Sequence, residues 1–331
     1  MRRRDVVALA SWGLAEPSTL LSQTTKKYRI YMVTWRGHTL VEKGFQDYLA
    51  ASHTPVQYII RDARQDPRLL AEFVEEISSL KPDLVYTWGT SATLGILGAY
   101  DKPQSAIMDI PAVFTLVASP VGAKIVKDLN KPNRNVTGVY HVAPLDSQLD
   151  AIRSYRPFTK LGVLYNRAEQ NSVAMLEQLR EAAKAQGFQV IERTFKQNNA
   201  GKPLSEGIQE LVGEIKAAGA QWLYLGADTY LFTQLGLVAA AAHAQALPTF
   251  AITEAVMNDA QAGVLAGLVS KYYSIGQFTA YKAKQILVSG ELPNNIPVET
   301  LQKRAFVVRM DTAKRLKLLP PISLFNYAEF V

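Results

Sequence analysis

Short apolar runs alternate along this chain with segments whose apolar positions recur every three to four residues. Strands buried on both faces and amphipathic helices leave that pattern. Residues 28–33 open the series as a strand. A helix follows from Thr39, where Glu42 completes a capping box and Val41, Phe45, Tyr48 and Leu49 share one face. Residues 56–60 read as a second strand, and Asp66-Pro67 opens a helix that turns Leu70, Phe73, Val74, Ile77 and Leu80 inward. Residues 84–88 form a third strand; Gly89 takes the turn, and Thr90 or Ser91 caps a helix running through Leu94, Ile96 and Leu97. A strand at 112–114, a helix at 123–129 and a strand at 135–140 complete this first series.

A second series begins after a helix at 145–153. It contains a strand at 161–165, then a long helix capped by Asn171 or Ser172 and stopped at Gly187. A strand at 188–193, a helix at 205–218, a strand at 222–225 and a strand at 249–252 continue the alternation. Tyr86 and Tyr224 occupy matching places, each in an apolar strand followed by a glycine turn and a helix, 138 residues apart. Pro111 and Pro248 then precede matching strands 137 residues apart, so the chain reads as two similar α/β units in tandem. The helix at 274–288 has no strand of the second unit just before it. The strand at 264–269 therefore leads back to the first unit, and the strand at 307–308 with the helix at 311–318 returns to the second. Several crossings of this kind make a hinge.

The predicted architecture is thus α/β, with two Rossmann-like lobes of parallel sheet joined by a multi-crossing hinge. Lobe 1 covers 27–143 plus about 270–303, and lobe 2 covers 144–269 plus about 304–331. The length of 331 residues gives each lobe a core of its own. Open parallel sheets bind ligands beyond the carboxyl ends of their strands, so two facing lobes enclose a ligand between helix N-termini.

Composition narrows the function. The net charge of +7 is scattered over 36 basic residues, with no stripe beyond Arg2-Arg3-Arg4, which argues against nucleic acid as a partner. The absence of cysteine removes disulfides and thiol chemistry. No apolar run reaches the ~20 residues that span a bilayer. Arg3–Val7 follows a twin-arginine export pattern, although Asp5 interrupts it, so residues 1–26 are read as an export leader to a periplasmic or otherwise extracytoplasmic location.

Candidate chemistry gathers after the predicted strands. Trp35 and Arg36 follow the first strand, a ring that stacks and a cation that pairs with a carboxylate. The helix start at Thr90 and Ser91 offers free N–H groups and hydroxyls to an anion. Asp228 caps a helix, holds a ligand's ammonium group, or does both; Glu254 is a second acidic candidate. A hydrolase is the competing reading. Ser91, Asp228 and His243 follow in triad order, but Thr93 stands where the nucleophile elbow needs glycine and His243 lies in an alanine-rich helical run. The four histidines are scattered, which argues against a metal site, and no nucleotide-binding glycine motif occurs.

Trp35-Arg36-Gly37 with Glu42-Lys43-Gly44-Phe45, Pro111-Ala112-Val113-Phe114, Pro120-Val121-Gly122, Asn135-Val136-Thr137-Gly138, Leu164-Tyr165-Asn166 with Asn171-Ser172, and Val307 to Asp311-Thr312-Ala313-Lys314 form an ordered set over nearly all of residues 28–319. In these the chain resembles the solute-binding proteins of ABC importers, whose characterised members include binders of tryptophan and related aromatic amino acids. The resemblance implies a type I periplasmic-binding fold and no enzymatic activity. It implies capture of an amino acid or similar small carboxylate and delivery to a membrane permease, with no cofactor, by a monomer. It implies ligand contacts at Trp35, Arg36, Thr90, Ser91, Ala92, Asn166, Asn171, Ser172 and Asp228. Three positions depart from the family's habit: Trp88 replaces a small residue, Ser91 a proline and Ser119, also a candidate contact, an aspartate. A sensory module of the same fold is the alternative.

Overall fold

The computed structural model describes residues 27–102 and 106–331 of the chain. The proposed leader, residues 1–26, lies outside the described residues. The first sheet holds β1 (Tyr28–Thr34), β2 (Val56–Asp62), β3 (Leu84–Trp88), β4 (Ala112–Val117) and β5 (Val136–Tyr140), in the order β2-β1-β3-β4-β5 and parallel throughout. Between these strands run α1 (Leu40–Ala51), α2 (Arg68–Leu80) and α3 (Gly89–Leu97). Alternation along β1 sends Tyr31 and Val33 to one apolar layer and Ile30 and Met32 to the other, so both faces of the sheet are covered.

After α4 (Leu145–Tyr155) the chain builds the second sheet from β6 (Lys160–Tyr165), β7 (Gln189–Thr194), β8 (Trp222–Leu225), β9 (Thr249–Ala251) and β10 (Ala266–Val269). The helices α5 (Gln170–Gln186), α6 (Ile208–Ala217), α7 (Thr229–Thr233), α8 (Leu235–Ala244) and α9 (Glu254–Asn258) belong to this run. Next, α10 (Tyr272–Leu287) leaves the second sheet and packs along α1. Two glycines allow that contact: a Cβ on Gly276 would lie 1.9 Å from the Val41 carbonyl oxygen, and one on Gly44 would lie 2.1 Å from that of Tyr273. Residues 296–299 then run beside β5, where Thr137 Oγ1 donates to the Ile296 carbonyl at 2.8 Å.

The chain finally returns through β11 (Ala305–Val308), α11 (Met310–Arg315) and β12 (Ala328–Phe330), giving the order β12-β11-β10-β9-β8-β6-β7 with β10 and β11 antiparallel. It therefore passes between the sheets three times. Buried Lys282 braces the last passage by donating to the Pro297 carbonyl at 2.6 Å and pairing with Glu299 at 2.7 Å.

Several elements differ from expectation. The helix expected at 123–129 is a series of turns, because Lys124 takes φ +58° and Asp128 Oδ1 caps the backbone N–H of Asn130 at 2.6 Å. Helix α3 starts at Gly89, with extended Trp88 at its N-cap, which places Thr90 and Ser91 in the first turn instead of at the cap. Likewise α5 starts at Gln170, with Glu169 at the N-cap and Asn171 and Ser172 inside the helix. Strand β12 has only three residues and gave no periodic signal.

Candidate functional site

The carboxyl ends of the strands of both sheets face one cavity of about 100 Å³. From the first sheet, the loop after β1 brings Trp35 and Arg36, the turn after β3 brings Gly89, Thr90 and Ser91, and β5 leads into His141. Gly89 makes its turn at φ +79°, which lets the strand pass into α3 within one residue. From the second sheet, the loop after β6 brings Glu169 and Asn171, and the turn after β8 brings Asp228 and Thr229. Phe232 of α7 and Tyr272 of α10 close further walls.

The first-sheet wall carries polar groups without partners. The Arg36 guanidinium carbon lies 5.2 Å from the Trp88 ring centroid and 4.2 Å from that of Phe232, so it reaches across to the second unit through cation–π contacts. Among the described residues it has no carboxylate partner. The indole N–H groups of Trp35 and Trp88 and Nδ1 of His141 are likewise buried with no partner among the described residues. Burial first, and the nearby Arg36 charge in addition, push the His141 imidazole down to about 4, which leaves it neutral at pH 7. Burial also lifts the Tyr272 hydroxyl to about 12.

The second-sheet wall is acidic and internally paired. Asp228 Oδ2 accepts from the Asn166 backbone N–H at 2.7 Å and the Ser172 hydroxyl at 2.5 Å, while Oδ1 accepts from Leu231 N–H at 2.8 Å and so caps α7. Beside it, Glu169 accepts from the backbone N–H of Thr229 at 2.9 Å and from its hydroxyl at 2.7 Å. Burial, then the Asp228 charge, raise the Glu169 carboxyl above the usual range. Asn171 is held by donation from Nδ2 to the Ala227 carbonyl.

Six expected residues thus line one cavity: Trp35, Arg36, Thr90, Ser91, Asn171 and Asp228. The other five do not. Ala92 is packed in the core behind α3, and Ser119 lines a neighbouring cavity. Asn166 and Ser172 stand behind Asp228 and hold its carboxylate. Glu254 turns away to accept from the Tyr272 backbone N–H at 2.6 Å. His243 is bound to the Gly263 carbonyl at 3.0 Å and is not among the residues lining this cavity, so the triad order of Ser91, Asp228 and His243 does not become a catalytic geometry. Glu169, Phe232 and Tyr272 were not among the expected contacts. An acidic residue four places after a strand, opposite Asp228's turn, is the only local sign Glu169 gives.

The chain is similar to known proteins over most of its length. A curated relative, the tyrosine-binding protein of Clostridioides difficile, is 28% identical over 283 residues, covering 84% of this chain and 74% of that one. A solved domain from Vibrio cholerae superposes with TM-score 0.77 at 25% identity, covering 92% of this chain and 99% of its own. The ABC domain from Streptococcus pneumonia in complex with L-Trp superposes with TM-score 0.74 at 24% identity, over 91% and 100% of the two chains. The architecture is the two-lobed type I periplasmic-binding fold. The family model described as ABC transporter substrate binding protein matches residues 31–331, and the chain belongs to that family.

Proposed function

We propose that this protein captures an α-amino acid in the cleft between its two sheets and presents it to the permease of an ABC importer. The observation that carries this reading is the opposition of the two walls. A cation and two unpartnered indole N–H groups stand on one side, and two carboxylates stand on the other. A zwitterion satisfies both walls at once, since a buried polar group without a partner costs about 1–3 kcal/mol. Arg36, Trp35, Trp88 and the first turn of α3 take the carboxylate; Asp228 and Glu169 take the ammonium group.

The tyrosine-binding relative and the L-Trp-bound neighbour support an aromatic or large apolar side chain. The working protein is a monomer outside the cytoplasmic membrane, exported by the leader at residues 1–26. Its lobes comprise 27–143 with about 270–303, and 144–269 with about 304–331.

Melting curves of the purified protein with each of the common amino acids and small organic acids test this. At a hundred times its Kd a true ligand adds about 2.7 kcal/mol to stability. A panel that moves the melting temperature nowhere defeats the reading.

A further inference from the structure

The cavity between the charged walls is too small for a whole aromatic amino acid. It measures about 100 Å³, whereas a benzene ring alone occupies an engineered cavity of roughly 150 Å³. A second cavity, of about 210 Å³, adjoins it, and Ala118, Asn171 and Ala227 belong to the walls of both. The two differ in chemistry. Arg36, Glu169 and Asp228 line the first, but among the described residues no Asp, Glu, Lys, Arg or His lines the second.

Aliphatic walls dominate the second chamber, with Val121 from the first unit, Val142 and Leu145 from the passage into α4, and Met175 and Ile252 from the second unit. Its central polar groups are already paired. Gln148 donates to the Ala143 carbonyl at 2.6 Å and accepts from the Tyr224 hydroxyl at 2.5 Å. Nothing there compensates a charge, and an apolar ring loses little by entering. Asn171 belongs to the walls of both chambers, with its side chain held by the Ala227 carbonyl.

We infer that the second chamber is the side-chain subsite. It takes an aryl or large aliphatic side chain whose α-amino and carboxylate groups lie in the first cavity. The inference rests on the amino-acid reading and deepens it by assigning the selecting surface. Because the chamber is built from both units and from the passage joining them, a ring within it touches both moving bodies as well as the hinge. Side-chain size then sets how completely the cleft closes. Burying a phenyl-sized group there makes aromatic amino acids bind roughly ten- to a hundred-fold tighter than alanine.

Val121 is 42% exposed and Gln178 lies on the solvent side of α5, so Val121→Trp and Gln178→Trp narrow the chamber from opposite sides while leaving both cores intact. L-tryptophan is titrated calorimetrically and L-alanine by displacement, with wild type and both variants. The expected result is a loss of about tenfold or more for tryptophan in the variants with alanine unchanged. Unchanged tryptophan affinity in both variants, or an equal loss for alanine, overturns the assignment. A wild type that binds neither amino acid instead removes the amino-acid reading beneath it.

Discussion

On the first-sheet side of the cleft, Arg36, Trp35 and Trp88 present polar groups left unpaired among the described residues; on the second-sheet side, Asp228 and Glu169 accept from five donors of their own neighbourhood. The difference separates two ways of preparing a charged site. Paired carboxylates are fixed in place before a ligand arrives, so their removal is felt by the fold as well as by binding. Unpaired donors cost the ligand-free protein stability, and their removal is felt almost wholly in binding. Mutations on the two walls should therefore split stability from affinity in opposite patterns.

The largest effect falls on Asp228→Ala. It leaves the Asn166 and Leu231 N–H groups and the Ser172 hydroxyl without their acceptor, which should lower unfolding free energy by roughly 2–4 kcal/mol. Binding should weaken by about a hundred-fold or more, since the ligand's ammonium also loses its partner. Denaturant melts and calorimetry on the same preparation read both. A variant that melts like wild type would break the contrast between the walls.

Arg36→Gln comes next and should show the reverse pattern. Among the described residues its guanidinium is held by the Trp88 and Phe232 rings, worth on the order of 1 kcal/mol. Affinity should fall about ten- to a hundred-fold while unfolding free energy stays within about 1 kcal/mol. A destabilisation as large as that of Asp228→Ala would show that Arg36 is structural instead.

This contrast also marks what could be read from the chain alone. Apolar runs such as residues 84–88 and 222–225 have no polar position to misplace, and a strand buried on both faces is their natural solution. Arg36 and Asp228 were legible because each follows such a run directly, at the strand end where open sheets bind. Glu169 was not. Its part depends on Thr229, 60 residues away, and no local periodicity encodes that pairing. Asn166 and Ser172 were read as ligand contacts, since spacing shows that they are near the cleft but not that they point at Asp228. The missing helix at 123–129 failed for a local reason, because a left-handed Lys124 breaks the turn that its apolar residues suggest.

Glu169 gives the comparison a pH axis. Its carboxyl titrates above the usual range because burial, and then Asp228, disfavour its charge. An ammonium ligand favours that charge, so binding is strongest above the raised value and weakens as pH falls through it. Glu169→Gln should cost about tenfold at neutral pH and flatten this decline. His141 contributes no such slope until near pH 4, since its imidazole stays neutral down to there. Affinity titrations from pH 7.5 to 4.5 compare the two proteins. An equally steep decline in Glu169→Gln would assign it to another group.

The smallest effect belongs to Thr90→Val, on the unpaired wall beside Arg36. Thr90 sits in the first turn of α3, where the backbone N–H groups remain free to meet a carboxylate whatever the side chain. Only the hydroxyl is lost, and a neutral hydrogen bond contributes about 0.5–1.5 kcal/mol, or roughly two- to tenfold in affinity. Valine keeps the volume and the branched shape, and its half-buried position adds little to its cost in the fold. Calorimetric titration at one pH measures the change. A loss as large as that of Arg36→Gln would mean that the hydroxyl, and not the helix start with the arginine, is the main anchor of the carboxylate.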